Sequence, residues 1–445
     1  MMNKCFLAGI AVLCLAAHAE NWGQWRGPNN NGSSPESNLP DSFSVEDAEK
    51  KAHNKNVAWA CDLPGASNAT PVVFGDKVFV ASNNKDGSEL LGLCIDRNTG
   101  KILWQKTGVK TTPGKVSNTG KNTLASCSPV TDGKRVCFTF GTGEIICYDM
   151  DGKEVWARNI PKDHGDFTYL HGYSSTPLLY KEKLYVQVLR RDRPEAKGGK
   201  AADPKYDSYL LCLDWNTGKD IFKAPRKSDA KDGECESYSS PVLYERPGRT
   251  EILISGSLWV SGHDPETGKE YWHWGTLTPV ITGNVRSVSE PVANNDFIFA
   301  AGPRKRPVFA VKAGGSGDLS KEGLAWEFKD HDCAVPSPTL YDNYLYLLDD
   351  DKKKMSCVEP STGHVKWSGS LAVPEDLAGF SSSPAAGDGK LYCMNERGNV
   401  VILSSQEYKV LCRVNLDEGF TASTPVISQG HVFFRTAKKL YCIGK

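Results

Sequence analysis

From residue 56 onward the chain is a succession of short runs in which apolar and polar positions alternate, such as KVFVAS (77–82), KLYVQV (183–188), NYLYLL (343–348) and HVFFRT (431–436). They are separated by turn-forming pairs and triplets: Gly75-Asp76, Asp132-Gly133, Asp342-Asn343 and Gly387-Asp388-Gly389. A period of two bounded by Gly, Asp and Asn predicts half-buried strands joined by tight hairpins. No segment carries a sustained helical period, so the fold is expected to be all-β.

Two markers recur. The first reads LCIDRNTGKILW (93–104), ICYDMDGKEVW (146–156), LCLDWNTGKDIF (211–222), SGHDPETGKEYW (261–272) and SCVEPSTGHVKW (356–367). Such a cluster of acid, Asn, Thr, Gly and Lys could be taken for an ion or phosphate loop. It lacks the closing Glu of an EF-hand and the GxxxxGK[ST] spacing of a phosphate loop, whereas an acid and a Thr that bond the backbone, plus a Gly at positive φ, are what a hairpin turn needs. The second marker is a small or polar residue, then Pro, then an apolar strand, at Pro71, Pro129, Pro177, Pro241, Pro291, Pro338, Pro384 and Pro425. Repeats of this length mean radial or linear arrays.

Each unit from one proline to the next terminal aromatic holds four strands. The last unit stops one strand short, and Asn56 to Leu63, with Trp59 in the terminal position, has no unit before it. Joining the two leaves no sheet edge exposed. The pattern therefore predicts an eight-bladed β-propeller of four-stranded antiparallel blades, its ring closed by an N-terminal strand. Trp59, Trp104, Trp156, Phe222, Trp272, Trp326, Trp367 and, where the pattern weakens, Leu411 are expected to pack between neighbouring blades.

Composition narrows the function classes. The chain has 445 residues, with 53 basic and 53 acidic side chains, which gives no electrostatic footprint for nucleic acid or an anionic membrane. Lys4, the apolar stretch Phe6–Ala17 and the small residues around His18 read as a secretory leader cleaved after Ala19. The expected organisation is leader 1–19, a WGQWRGP segment and linker 20–55 whose Trp22, Trp25 and Arg26 plug or brace the ring, and propeller 56–445. The expected location is periplasmic or secreted, with no membrane span and a monomeric state. Cys94, Cys147, Cys212, Cys357 and Cys442 occupy one strand position, where a small buried hydrophobe is expected rather than a disulfide framework. Lys106–Ala125 and Arg190–Asp207 are basic insertions expected to be solvated. HExxH, GxSxG, CxxC and a helix-opening GxGxxG are all missing, and no metal site is assigned.

The LDxxTGKxxW ladders together with the SSPV strand starts resemble the pyrroloquinoline-quinone (PQQ)-like β-propeller repeat family, over Asn56 to Lys445. The resemblance implies one of two roles. Quinoprotein alcohol dehydrogenases carry PQQ and calcium on the axis; the outer-membrane assembly branch, BamB, binds a partner and does no chemistry. The chain lacks the adjacent cysteines typical of the first branch and a convincing lipobox for the second. The expectation is a binding or scaffold protein of the envelope, with an unidentified protein or envelope component as partner; the alternative is a PQQ-dependent dehydrogenase. A third reading is a hydrolase pairing a funnel serine with His171 or His331.

The resemblance also implies that the proline-marked strand is innermost, so the segments before each proline line a funnel. His171, Tyr173, Glu236, Tyr238, Arg286, Glu290, His331, Asp332 and Glu418 are the candidates there. Aromatics, a guanidinium and carboxylates that converge would suit a polar planar ligand or a peptide.

Overall fold

The computed structural model describes residues 20–46, 54–112, 122–191, 207–230, 235–275, 286–303, 306–330, 333–372, 378–416 and 418–444. The expected leader and its expected cleavage point lie outside them, as do His331 and Asp332. The described strands form eight antiparallel sheets around an axis, an eight-bladed β-propeller. Blade 1 comprises Val72–Phe74, Lys77–Asn83, Glu89–Asp96 and Ile102–Lys110, paired in sequence order from the innermost strand outward. Blades 2 to 7 start at Val130, Leu178, Val242, Val292, Thr339 and Ala385. Blade 8 has Val426–Ser428, His431–Arg435 and Lys439–Ile443, and Val57–Asp62 completes it as the outermost strand, with Trp59 opposite Cys442. One short helix, Ile160–His164, is present among the described residues.

The register explains both the cysteines and the terminal aromatics. Across blades 1, 3, 6 and 8 a cysteine on the third strand stands between an aromatic on the second and one on the fourth: Phe79–Cys94–Trp104, Tyr185–Cys212–Phe222, Tyr346–Cys357–Trp367 and Phe433–Cys442–Trp59. In blade 5 the spacer is Ala310, between Phe299 and Trp326. The flanking rings lie 5.7–6.4 Å apart over the small residue, a spacing that a larger side chain would prevent. All twelve described cysteines are free thiols.

In blades 1 to 7 the register shifts immediately after this spacer, at Cys94/Ile95 in blade 1 and Cys357/Val358 in blade 6 for example. Such a bulge adds twist and re-aims the following side chain. Here it turns the terminal aromatic toward the next blade. The indole N–H of Trp59, Trp104, Trp156, Trp326 and Trp367 donates to the backbone carbonyl of Arg97, Met150, Trp215, Pro360 and Ser405, in each case in the neighbouring blade's turn, at 2.7–3.1 Å. Turn glycines lie beneath four of these rings, those of Trp59, Trp104, Trp156 and Trp326. A Cβ on Gly100 would stand 2.7 Å from the Trp59 ring, and one on Gly363 would stand 2.9 Å from Trp326. Both also sit at positive φ, 72° and 77°, so two constraints fix the residue. The acid is used locally: Asp96 Oδ1 accepts from the backbone and hydroxyl of Thr99, both at 2.8 Å.

Three seams depart from this device. Phe222 has no N–H, and Tyr185 from the same blade donates to the Pro265 carbonyl instead, at 2.8 Å. Trp272 donates inward to the buried Glu251, and Gly317–Asp318 adds a parallel fifth strand to blade 4. In blade 7 the docking position falls on Cys412, opposite Ile402, one residue beyond the expected Leu411. That seam is filled from the N-terminal segment. Phe43 stacks on Phe434 at 5.6 Å, and Pro40 accepts from the Tyr392 hydroxyl.

The described ends of the two basic insertions are held by the propeller. Lys106–Lys110 continues the outer strand of blade 1. Arg190 and Arg191 are buried, because the Arg190 guanidinium satisfies the carbonyls of His164, Gly165 and Asp166, and Arg191 meets Glu236. Charge is tolerated in an interior where carbonyl and carboxylate oxygens meet the guanidiniums.

Candidate funnel site

The proline marker has a physical basis that becomes visible only around the closed ring. The residue before each proline donates its N–H to the side-chain oxygen of its counterpart in the next blade. The circuit runs Thr70, Ser128, Thr176, Ser240, Glu290, Ser337, Ser383, Thr424 and back to Thr70, at 2.9–3.3 Å. Proline suits the next position because it holds its predecessor extended and brings no N–H to the inner sheet edge. Seven members of the circuit are Ser or Thr. Glu290 is the exception; one oxygen accepts from Ser240 and the other from the Ser337 hydroxyl.

Beyond this circuit the N-terminal segment lies across the axis. Trp22 exchanges two backbone hydrogen bonds with Val73, and Gly23 accepts from Thr131. The Gln24 side chain accepts from Leu179, Asn31 from Leu340, Gly32 from Ala386, and Glu20 from the Ser428 hydroxyl. It thus touches the innermost strands of blades 1, 2, 3, 6, 7 and 8. Arg26, 1 % exposed, donates to the carbonyls of Pro338 and Asn31 and to the Thr339 hydroxyl. Burial lowers its pKa to about 10, partly offset by the charge of Glu290. Burial raises the Glu290 carboxyl, opposed by Ser337 and Arg26. The one acid in the circuit therefore faces the one guanidinium of the plug.

On the other side of the circuit, blades 3, 4 and 5 bring four of the sequence-predicted residues together. Glu236 is fully buried; Arg191 bonds one of its oxygens, and the other accepts from Arg286 Nε at 2.9 Å and the Tyr238 hydroxyl at 2.6 Å. The Tyr238 oxygen accepts from the His171 backbone at 3.1 Å, and His171 Nε2 lies 3.4 Å from Arg286 Nη1. Burial and the Glu236 charge push the Tyr238 phenol upward, so it stays a donor at neutral pH. The loops of blades 4 and 5 run side by side here, with Tyr238 N donating to Ser287 O at 2.8 Å. The cluster holds two guanidiniums against one carboxylate, beside the rings of Tyr169, Tyr238 and His171.

The remaining candidates lie elsewhere. Tyr173 is buried behind the cluster, its hydroxyl on Gln187 O and its ring against Phe167. Glu290 sits deeper, in the circuit. Glu418 turns to its own blade and accepts from Tyr441 and Thr436. His171 thus faces a guanidinium and a phenol. The close Ser–His pair, Ser261 Oγ to His263 Nε2 at 2.9 Å, is buried; Arg226 donates to that serine, and the other ring nitrogen meets Gly268 O. Arg191 was missed in the sequence because it stands at the edge of an insertion read as solvated. Its signal is the unbroken strand KLYVQVL that delivers it.

Among the described residues no helix is long and apolar enough to cross a membrane. A polyvinylalcohol dehydrogenase of Sphingopyxis sp. (strain 113P3) is 21% identical over 362 residues, covering 76% of this chain and 49% of that protein. The chain spans about half the length, or less, of the curated relatives it matches. Among solved structures, a quinohemoprotein alcohol dehydrogenase from Comamonas testosteroni superposes with a TM-score of 0.66 at 13% identity, covering 95% of this chain and 80% of that one. BamB from Moraxella catarrhalis superposes with 0.57 at 12% identity, covering 87% and 99%. A family model described as outer membrane protein assembly factor BamB matches residues 49–165, 88–369 and 259–444. With that coverage and the eight-bladed ring, the chain belongs to this PQQ-like propeller family.

Proposed function

We propose that the protein is an exported, non-catalytic binding propeller of the cell envelope, and that its partner docks on the funnel side of blades 3 to 5. The observation that carries this reading is the commitment of the funnel acids. Glu236 is held by two arginines and a phenol, Glu290 by the circuit, and Glu418 by Tyr441 and Thr436. Calcium takes about 6–8 oxygen ligands with several carboxylates among them. Among the described residues no three His, Cys, Asp or Glu side chains stand together. The described donor set does not fit a calcium-bound quinone. The guanidiniums and aromatic rings gathered there suit an acidic, partly apolar protein surface. The likeness to BamB supports a protein partner.

The dehydrogenase reading keeps its support from the names of the relatives. The deciding experiment adds PQQ and calcium to the purified protein and follows stoichiometric binding and dye-linked alcohol oxidation. The binding reading expects neither; tight binding with turnover overturns it. A photo-crosslinker at His171 then identifies the partner, with Arg286→Ala as the control expected to reduce crosslinking.

A further inference from the structure

Blade 2 breaks the aromatic–spacer–aromatic row in one place. Its third-strand residue, Cys147, faces Trp156 as Cys94 faces Trp104 in blade 1, but the second-strand position opposite it is Cys137, where blades 1, 3, 5, 6, 7 and 8 have Phe or Tyr. The two cysteines are direct partners on adjacent antiparallel strands and belong to one core cluster. Directly opposed residues have Cα atoms about 4.5–5.5 Å apart, inside the range that a disulfide spans. We infer that Cys137 and Cys147 are joined by a cross-strand disulfide when the chain folds in an oxidising milieu.

The bond forms by exchange. The thiolate of one cysteine attacks the disulfide of a dithiol–disulfide oxidant, or of oxidised glutathione, and releases one thiolate. The second cysteine then displaces the other sulfur from the mixed disulfide. Two protein thiols lose two protons and two electrons, and the oxidant is reduced to two thiols. In the folded protein both sulfurs are buried, and burial together with the neighbouring thiol raises the pKa of Cys137. Exchange therefore belongs to the folding chain, before blade 2 packs against blades 1 and 3. Once made, the bond is sheltered from reductant. Cys94, Cys212, Cys357 and Cys442 lie between aromatic rings, and Cys61, Cys393 and Cys412 stand opposite Leu440, Val401 and Ile402, so none of them has a thiol opposite it.

The test refolds the full chain from denaturant in a glutathione redox buffer, then alkylates it under denaturing conditions. No Lys or Arg separates the two cysteines, so cleavage after Glu144 is needed to place them in different peptides. The expected result is a linked pair containing Cys137 and Cys147, with every other described cysteine alkylated. The melting temperature is expected to fall by several degrees when the refolding is done in dithiothreitol. Cys137→Phe, which rebuilds the row of the other blades, is expected to fold in both buffers and to lose this redox dependence. Alkylation of all twelve described cysteines after oxidative refolding overturns the inference. So does a link to another cysteine such as Cys127, or an unchanged redox shift in Cys137→Phe.

Discussion

The seams from blade 5 round to blade 7 and from blade 8 round to blade 3 differ in kind from those around blade 4. In the first group one tryptophan per seam places its N–H on a turn carbonyl, and all but Trp367 also bury the ring on a turn glycine. Around blade 4 that device is replaced by Tyr185, by the Trp272–Glu251 pair and by an added strand. The same sector holds Arg191, Arg226, Glu236, Glu251, His263, Arg286 and Glu290, most of them buried. A repeat that only has to close a ring stays regular. Where it departs from its own rule and buries charge, local consistency has been given up for something other than stability.

This contrast can be broken most sharply at Glu236. Glu236→Gln leaves two guanidiniums without their carboxylate and is expected to cost roughly 3–5 kcal/mol in denaturant unfolding. Glu418→Gln, beside the partly exposed Lys439, should cost under about 1 kcal/mol. Equal losses would mean that blades 3 to 5 are not a distinct sector.

Acid provides the next test. Burial, helped by Arg226, lowers the His263 pKa from 6.5 to about 3. Between these values the unfolded chain binds a proton that the folded chain does not, so stability is complete above pH 6.5 and falls as pH drops toward 3. The expected loss between pH 6.5 and 5 is roughly 2 kcal/mol from this group. His263→Gln should flatten that part of the profile.

A smaller effect is expected at the plug. Glu290→Ser restores the hydroxyl used by the other seven blades and removes the charge that faces Arg26. We expect a loss of about 1–2 kcal/mol and faster proteolysis of 20–46, both largely reversed when Arg26→Met is added. If Glu290 serves only the circuit, the serine variant will match the parent.

The smallest effect compares two tyrosines. Tyr185→Phe removes the donor to Pro265 O and should cost about 1 kcal/mol. Tyr346→Phe should cost less, because Ser405 O, which its hydroxyl meets at 3.0 Å, also accepts from Trp367. Thermal melts of the two variants decide it.

Much of the architecture was legible because a propeller writes its geometry once per blade. The eight prolines, the turn acids and the unpaired strand at each end of the repeat array lead directly to the closed ring. The seam at Cys412 was read one residue out, because a bulge shifts the register where no tryptophan marks it. The site was legible only in part. His171, Glu236, Tyr238 and Arg286 share a composition that suggested a funnel, yet Glu290 carries the same composition and belongs to the axial circuit. That distinction depends on partners some fifty residues away along the chain. Arg191 was concealed by the charge of the loop that follows it.

Closure of the ring also sets a timetable. Val57–Asp62 pairs with Lys439–Ile443, so one of the first strands to be synthesised waits for the last. Until Lys439–Ile443 has formed, Val57–Asp62 has no partner and the serine–threonine circuit remains an open arc. Contacts of such long range fold slowly. Closure of the ring therefore waits for both ends of the repeat array, while each of the other seven blades takes its four antiparallel strands from one continuous stretch of sequence.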